Sequence, residues 1–383
     1  MTFDFATAGR IAFGAGRAQE LPGVVASLGT RALVCTGSDP DRHAALLDTL
    51  TVPFRVSPVD GEPTVDAARS ATAAAREFGA DVVVAIGGGS PLDLGKAVAV
   101  LLANGGDPLD YLEVVGRGQP FTRPAVPGVA VPTTAGTGSE VTANAVLASP
   151  EHRVKASLRS PLMLPRVALV DPLLTLGCPP GVTASSGLDA LTQCLEPYVS
   201  VRANPVTDGL AREGLRRAGR SLRRAYADGS DVDARTDMAL CSLLGGLALA
   251  NAKLGAVHGF ASAIGGVADV PHGLACAALL VPVTAANISR CEDPQRYVDV
   301  ARLLTGDPAA TEVDGLAWLR ETVALLNVPP LSEYGLGPAD ADAIVARAAT
   351  AGSTQGNPVV LTDEELHAAL AAAIAYGRPR DHQ

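Results

Sequence analysis

Asp189 and Gln193 stand one helical turn apart in Ser186-Gly187-Leu188-Asp189-Ala190-Leu191-Thr192-Gln193, and two histidines follow in Val257-His258-Gly259 and Pro271-His272-Gly273. The i,i+4 spacing puts Asp189 and Gln193 on one helix face. One carboxylate and two imidazoles form a ligand set for a divalent metal that keeps a coordination position free for substrate. Gln193 is the odd member of this metal-site group, because an amide oxygen is a weak donor to a transition metal. A lone histidine on an apolar helix is usually a satisfied core residue. Two of them together with an apolar-flanked carboxylate weigh differently, because a buried carboxylate needs a partner. The glycine behind each histidine, and Gly265-Gly266 between them, are expected to let the chain fold so that both rings converge. His43, His152, His367 and His382 sit in polar or terminal contexts and read as surface residues.

Two glycine-rich turns offer a second kind of chemistry. Ile86-Gly87-Gly88-Gly89-Ser90-Pro91 follows a buried apolar run and precedes a helix through Asp93 and Lys96. Its glycines permit positive φ and close backbone approach, Pro91 suits a first helical turn, and the exposed N–H groups make an anion site. It fails the P-loop template, which needs Gly at 90, where Ser stands, and a hydroxyl at 97, where Ala stands. Gly14-Ala15-Gly16 likewise fails GxGxxG, since Gln19 occupies the last position. In the second turn, Thr133 to Glu140 (TTAGTGSE), hydroxyls and glycines suit hydrogen bonds to a pyrophosphate or ribose, although Ser139 could also simply cap a helix. Two phosphate-type turns in one α/β half indicate a dinucleotide better than either alone.

The elements that must carry these groups change character along the chain. Residues 31–37, 80–90, 127–132 and 166–170 read as buried strands, with helical spacing over 65–79, and this alternation predicts a parallel sheet covered on both faces. Beyond about residue 176 the pattern is helical: 183–199, 205–226, 232–256, 257–267, 272–289, 294–304, 314–326, 338–349 and 363–376. A chain of 383 residues is too long for one compact core, so two domains are expected, 1–176 and 177–383. The N-terminus lacks a secretory pattern, and no long apolar run escapes Gly, Pro or charge, so a membrane span is not expected. Six scattered cysteines without CxxC spacing read as small buried hydrophobes of a reduced, cytoplasmic protein. The formal charge of −10 argues against nucleic acid as a partner.

Taken in order, these segments carry a resemblance. The FGAG turn at 13–16, GGGSPLDLGKA at 87–97, PTTAGTGSEVT at 132–142, KASLRSPLMLPRVALVDP at 155–172, GLDALTQCLEPYVS at 187–200, NPVTDGL at 204–210, ALANAKLGAVHG at 248–259 and PHGLACAALLVP at 271–282 are similar, nearly end to end, to the iron-containing (group III) alcohol dehydrogenase superfamily. The resemblance implies a Rossmann-like α/β domain and an all-α domain (the dehydroquinate synthase-like architecture), a cleft between them for NAD(H) or NADP(H) and a metal, and a homodimer or larger assembly. By position, Gly88, Gly89 and Ser90 resemble its pyrophosphate loop. Thr133, Thr134 and Thr137 resemble contacts around adenine, phosphate and ribose, and Lys155 resembles a lysine near the nicotinamide ribose. Gly37, Asp93 and Ser139 join them as cofactor-binding candidates, while Asp189, His258 and His272 match three of the four metal ligands.

Three departures stand out. Gln193 replaces the fourth ligand, a histidine, which puts iron in doubt and leaves zinc, a weakly held metal or a metal-free site open. Ser262 replaces a second histidine thought to relay protons. Gly37 stands where NAD-preferring members often carry an Asp for the ribose 2′-OH, which together with Arg42 makes NADPH tolerable.

The resulting expectation is reversible hydride transfer between nicotinamide and a small aldehyde, ketone or alcohol. A metal polarises the carbonyl, and Ser262, water or a ribose hydroxyl passes protons; without metal, His258 or His272 supplies the positive charge. Leu158, Phe260, Ser262 and Ile264 are expected to line a small apolar chamber. The alternatives are a maleylacetate reductase-type reduction of a C=C bond, a dehydroquinate synthase-like lyase, and a non-catalytic binding protein. The long TTAGTGSE turn and the absence of Lys and Arg from 183–199 speak against the first two.

Overall fold

A computed structural model describes residues 2–375, so His382 and the last residue of the helix expected over 363–376 lie outside the described residues. The N-terminal part runs β1 (Arg10–Phe13), α1 (Leu21–Leu28), β2 (Ala32–Gly37), α2 (Ala44–Leu47), β3 (Phe54–Val59), α3 (Val65–Phe78), β4 (Val82–Gly87), α4 (Gly89–Asn104), α5 (Pro108–Tyr111), β5 (Gly128–Pro132), β6 (Asn144–Ser149), β7 (Val154–Arg159) and β8 (Val167–Val170). Six strands form one parallel sheet in the order β1-β8-β5-β4-β2-β3. The continuous apolar runs follow from burial on both faces. Alternate residues of one strand enter different cores: Leu33, Cys35, Val83 and Ala85 pack with α3 and α4. Ala32, Val34, Val82, Val84 and Ile86 pack with α1 and α2 on the other side.

β3 lies on one side of β2 and β4 on the other, so the strand order reverses at the carboxyl ends of β2 and β4. Such a reversal opens a crevice where open α/β sheets bind ligands. Gly37 and the Gly87–Ser90 turn are at those two strand ends.

The expected strands correspond to β2, β4, β5 and β8, except that Gly88 to Ser90 already cap and begin α4. β1 and β3, the edge strands, went unanticipated, since β1 has only four residues and β3 is half-exposed and holds Pro58. So did the antiparallel pair β6-β7, whose alternating burial sets Ala145, Leu147, Ala156 and Leu158 into the core beneath α4. A buried polar cluster ties this hairpin and the 133–140 turn to α4. Asp93 accepts from the Ser139 hydroxyl (2.5 Å) and from Val146 N (2.9 Å), and Lys96 reaches Asp93 (3.0 Å) and Thr142 Oγ1 (2.9 Å). α4 can lie this close to the sheet because Gly95 has no side chain. A Cβ there would be 2.6 Å from the Ala85 Cβ.

The helical part comprises α6 (Pro180–Val199), α7 (Pro205–Ala227), α8 (Val232–Ala252), α9 (Ala256–Ile264), α10 (His272–Arg290), α11 (Gln295–Thr305), α12 (Glu312–Leu325), α13 (Ala341–Thr350) and α14 (Asp363–Ala375). One core joins α6, α7, α8, α11, α12 and one side of α10. A second joins α9, α10, α13 and α14. α8 stops earlier than expected, where Lys253 takes a positive φ of 62°, and the chain bends by 97° into α9. α10 is long and apolar enough to cross a membrane, yet its Ala277 and Leu280 are core residues. By contact density the chain divides into two compact units. One is Phe5–Thr134 with Gly138–Leu176; the other takes 177–375, with Ala135–Thr137 and 2–4.

Glu140, 1% exposed beside Lys96, has its carboxyl pushed up by burial to about 7 from the ordinary 4.5. An acid raised in the fold is favoured in its neutral form, so its contribution to stability is lost as pH rises from about 4.5 through 7. Glu140→Gln is expected to flatten this loss, which thermal unfolding of both proteins at pH 5 and pH 8 measures. An equal drop between the two pH values in both proteins would refute it.

Candidate metal centre and dinucleotide turns

α6 presents Asp189, Gln193 and Glu196 along one buried face, with positions 189, 193 and 196 following the i, i+4, i+7 pattern. Their partners come from α9 and α10. His258 Nε2 lies 3.3 Å from Asp189 Oδ1, and His272 Nε2 lies 4.0 Å from the same oxygen. The two rings are 5.5 Å apart between centroids, tilted by 50°. Gln193 Nε2 donates to Asp189 Oδ2 at 2.9 Å, which fixes the carboxylate through the amide nitrogen alone.

Glu196 determines where His258 can be. Its Oε2 is 2.6 Å from His258 Nδ1, and its Oε1 accepts from Val257 N at 2.7 Å. Asn357 Oδ1 accepts from Ala256 N (3.1 Å), so side chains remote in sequence cap the start of α9. With Nδ1 occupied by a carboxylate, His258 directs Nε2 at Asp189, the arrangement that orients metal-binding imidazoles.

The glycines after the histidines work through packing. A Cβ on Gly259 would collide with the Thr354 side chain, and one on Gly273 with the Ser185 carbonyl. The rings converge as expected, but neither glycine of Gly265-Gly266 has a positive φ. The ends of α9 and α10 set the approach of the two rings.

The set fits a divalent cation. Asp189 Oδ1 and His258 Nε2 are buried (the residues 2% and 4% exposed), close together, and without a hydrogen-bond partner; Gln193 Oε1 is unpartnered too. Unpaired polar atoms of this kind are costly in a dry interior, by about 1–3 kcal/mol each. A cation satisfies them together. Cys276, one turn beyond His272 on α10, completes the cluster: its sulfur is 3.7 Å from His272 Nε2, and one ligand atom from each of Asp189, His258, His272 and Cys276 lies within 4.8 Å of all the others.

The charges agree. Burial alone would raise the Asp189 carboxyl, but the His258 contact, the His272 charge and the Gln193 amide outweigh it and hold it below its ordinary value. Burial works against His258 as a cation, yet Cys276, Glu196 and Asp189 lift its pKa well above the ordinary 6.5. The Cys276 sulfur, against burial, and with help from Asp189, takes His272 to about 9. Both shifts favour the protonated imidazole, the form with which a metal competes.

In the α/β part, Gly87 has φ +149° and would meet the Pro91 ring at 2.6 Å if it carried a Cβ. Gly88 caps α4 without a side chain, leaving the first N–H groups of Gly89 and Ser90 at a half-exposed helix start. Thr133 N bonds Gly87 O at 2.9 Å, and Thr134 Oγ1 lies 3.3 Å from where a Gly88 Cβ would be, so the two turns are neighbours. Gly37 has open space around it, and Arg42 is paired with Asp39 at 3.1 Å. Lys155 is paired with Glu62 at 2.6 Å. Both Asp93 oxygens and the Ser139 hydroxyl are engaged within the protein, holding the turn in place. Thr137 packs with the helical unit, where Gly136 leaves room for Ser186. Ser262 is exposed on α9. Leu158, Phe260 and Ile264 are fully buried core residues, correcting their expected place in a chamber wall.

The iron-containing alcohol dehydrogenase pattern matches residues 8–172, and that of the Fe-containing alcohol dehydrogenase family, C-terminal, matches 183–374. The chain belongs to the iron-containing alcohol dehydrogenase family. The 1,3-propanediol dehydrogenase of Klebsiella pneumoniae is 37% identical to it over 324 residues, 82% of each chain. A crystal structure of 1,3-propanediol oxidoreductase superposes with a TM-score of 0.91 at 33% identity, over 97% of this chain and 100% of that one. The sulfoacetaldehyde reductase from Bifidobacterium kashiwanohense, crystallised with NAD+, superposes with a TM-score of 0.88 at 28% identity, over 98% and 100% of the two chains. This alcohol dehydrogenase is an oxidoreductase that transfers a hydride.

Glu196 and Cys276 escaped the sequence reading. Both had a signal: Glu196 continues the Asp189 face, and Cys276 repeats at His272 the i,i+4 spacing of Asp189 and Gln193. Glu196→Gln is expected to weaken metal binding by roughly 10–100-fold, the usual effect of removing such an outer carboxylate. Competition titration against a chelating dye measures it, and unchanged affinity would count against the positioning role.

Proposed function

We propose that this alcohol dehydrogenase interconverts a small alcohol and its aldehyde or ketone with NAD(H) or NADP(H), at a divalent cation held by Asp189, His258 and His272. Residues 1–176 would bind the dinucleotide and 177–383 the metal and substrate. The observation that carries this reading is the pair of buried, unpartnered ligand atoms, Asp189 Oδ1 and His258 Nε2, facing one another beside His272. When bound, the cation supplies a Lewis acid for the substrate oxygen, and the dinucleotide supplies or accepts the hydride.

The chain's own residues do the rest. Glu196 and Gln193 hold His258 and Asp189 in their ligating orientations. The backbone N–H groups of Gly89 and Ser90, at the N-terminus of α4 beside Gly88, receive the pyrophosphate. Thr133, Thr134 and Thr137 offer hydroxyls to phosphate and ribose, and Lys155, steadied by Glu62, stands for the ribose of the nicotinamide end. Asp93 and Ser139 shape the turn from beneath, because their polar atoms are spent on each other. Ser262, exposed one turn after His258, is available to pass a proton to solvent. The same reading has the enzyme act as a homodimer or larger assembly in the cytoplasm.

Asp189→Ala is expected to lose bound metal and to lower kcat/KM by roughly 10²–10³-fold. Elemental analysis and an alcohol and aldehyde panel with both cofactors check it; full activity in the variant would sink the reading. At Gly37 nothing crowds an added side chain. Gly37→Asp is therefore expected to lower kcat/KM for NADPH at least about tenfold relative to NADH, by placing a carboxylate against a 2′-phosphate. An unchanged ratio of the two would remove Gly37 from the ribose site.

A further inference from the structure

The metal reading leaves two residues competing for the fourth ligand position. Gln193 is in register for it by sequence, but its amide nitrogen is bound to Asp189 Oδ2. Cys276 is wholly buried, and its sulfur converges with the ligand atoms of Asp189, His258 and His272 within 4.8 Å. The sulfur comes from the first turns of α10, the helix that carries His272, so the i,i+4 spacing presents both donors on one face. In the same unit, Cys194 and Cys241 face each other instead, 3.8 Å apart between sulfurs in an apolar core.

We propose that Cys276 is a metal ligand, so that the site is Asp-His-His-Cys and selects zinc over iron. This rests on the metal-assisted reading above. An amide oxygen is a neutral, hard donor, whereas a thiolate is anionic and soft. Exchanging one for the other adds a negative charge and moves the preference toward zinc, which already outranks Fe²⁺ for nitrogen and sulfur donors. The bond that forms is metal–sulfur, and the thiol proton leaves to solvent as the metal enters. With the Asp189 carboxylate, the ligands then carry two negative charges against the two positive charges of the ion. A fourth protein ligand does not close the site to substrate, since catalytic zinc can expand to five ligands.

The test uses the full-length protein loaded with Co²⁺ as a spectroscopic substitute, together with zinc affinity and metal content after equal Zn²⁺ and Fe²⁺ are offered. The expected result is a sulfur-to-cobalt charge-transfer band in the near ultraviolet, in addition to the visible d–d bands. Cys276→Ser loses the charge-transfer band and keeps the d–d bands. Its zinc affinity falls by more than the roughly 10–100-fold that an outer-sphere change costs. Cys276→Ala serves as a second variant, and circular dichroism of both confirms that they are folded. Cobalt bound with d–d bands but no charge-transfer band in the parent, or a Cys276→Ser variant with parental zinc affinity, overturns the thiolate ligand and leaves the metal reading intact. A parent protein that binds neither cobalt nor zinc overturns both.

Discussion

A carboxylate and an imidazole are held against each other away from water, each with an atom that no hydrogen bond from the described residues satisfies. Asp189 Oδ1 and His258 Nε2 form that pair. Left alone it is a net cost, because a buried polar atom loses its water and gains nothing. The surrounding structure is built to hold it nonetheless. Glu196 takes up the other nitrogen of His258 and the N–H of Val257, and Gln193 takes up the other oxygen of Asp189. Those contacts hold both side chains and leave one carboxylate oxygen and one ring nitrogen facing each other.

The same economy recurs in the α/β part. Asp93 and Ser139 carry the residue types of a ligand-binding turn, yet their polar atoms close on one another and on Val146. What they leave for a ligand is the backbone: N–H groups at the start of α4, with glycine where a side chain would crowd them. The strand order of the sheet places that helix start at the reversal between β2 and β4, so topology and turn chemistry agree on the location.

Departures from the family's usual residues are coupled through this logic. A glutamine at 193 braces Asp189 through its amide nitrogen and keeps only a neutral oxygen to offer an ion, while a cysteine at 276 brings a sulfur to the same cluster. Each change read singly suggests a weakened site. Read together they support the proposed change in metal preference, because the number and charge of the donors are what a divalent ion responds to. Three of the four residues expected in an apolar chamber illustrate the opposite case. Leu158, Phe260 and Ile264 are apolar because they are core, and only Ser262 of that group meets solvent.

The sequence by itself determined the central strands, most helices, both glycine turns and the identities of Asp189, His258 and His272. Those signals are local: a period of two or of 3.6 residues, a glycine at a strand end, or a pair of polar residues one turn apart can be read within a single segment. The edge strand β3 and the β6-β7 hairpin were lost because half-exposed strands give a weak alternation. The places of Glu196 and Cys276 were decided only by the tertiary structure. Glu196 acts on a histidine 62 positions away, and Cys276 on a carboxylate in another helix. The local spacing puts each residue on a helix face, but it does not say which helix will pack against that face. A ligand shell is defined by distances in space, and only the folding of α6, α9 and α10 onto one another turns those separations along the chain into contacts.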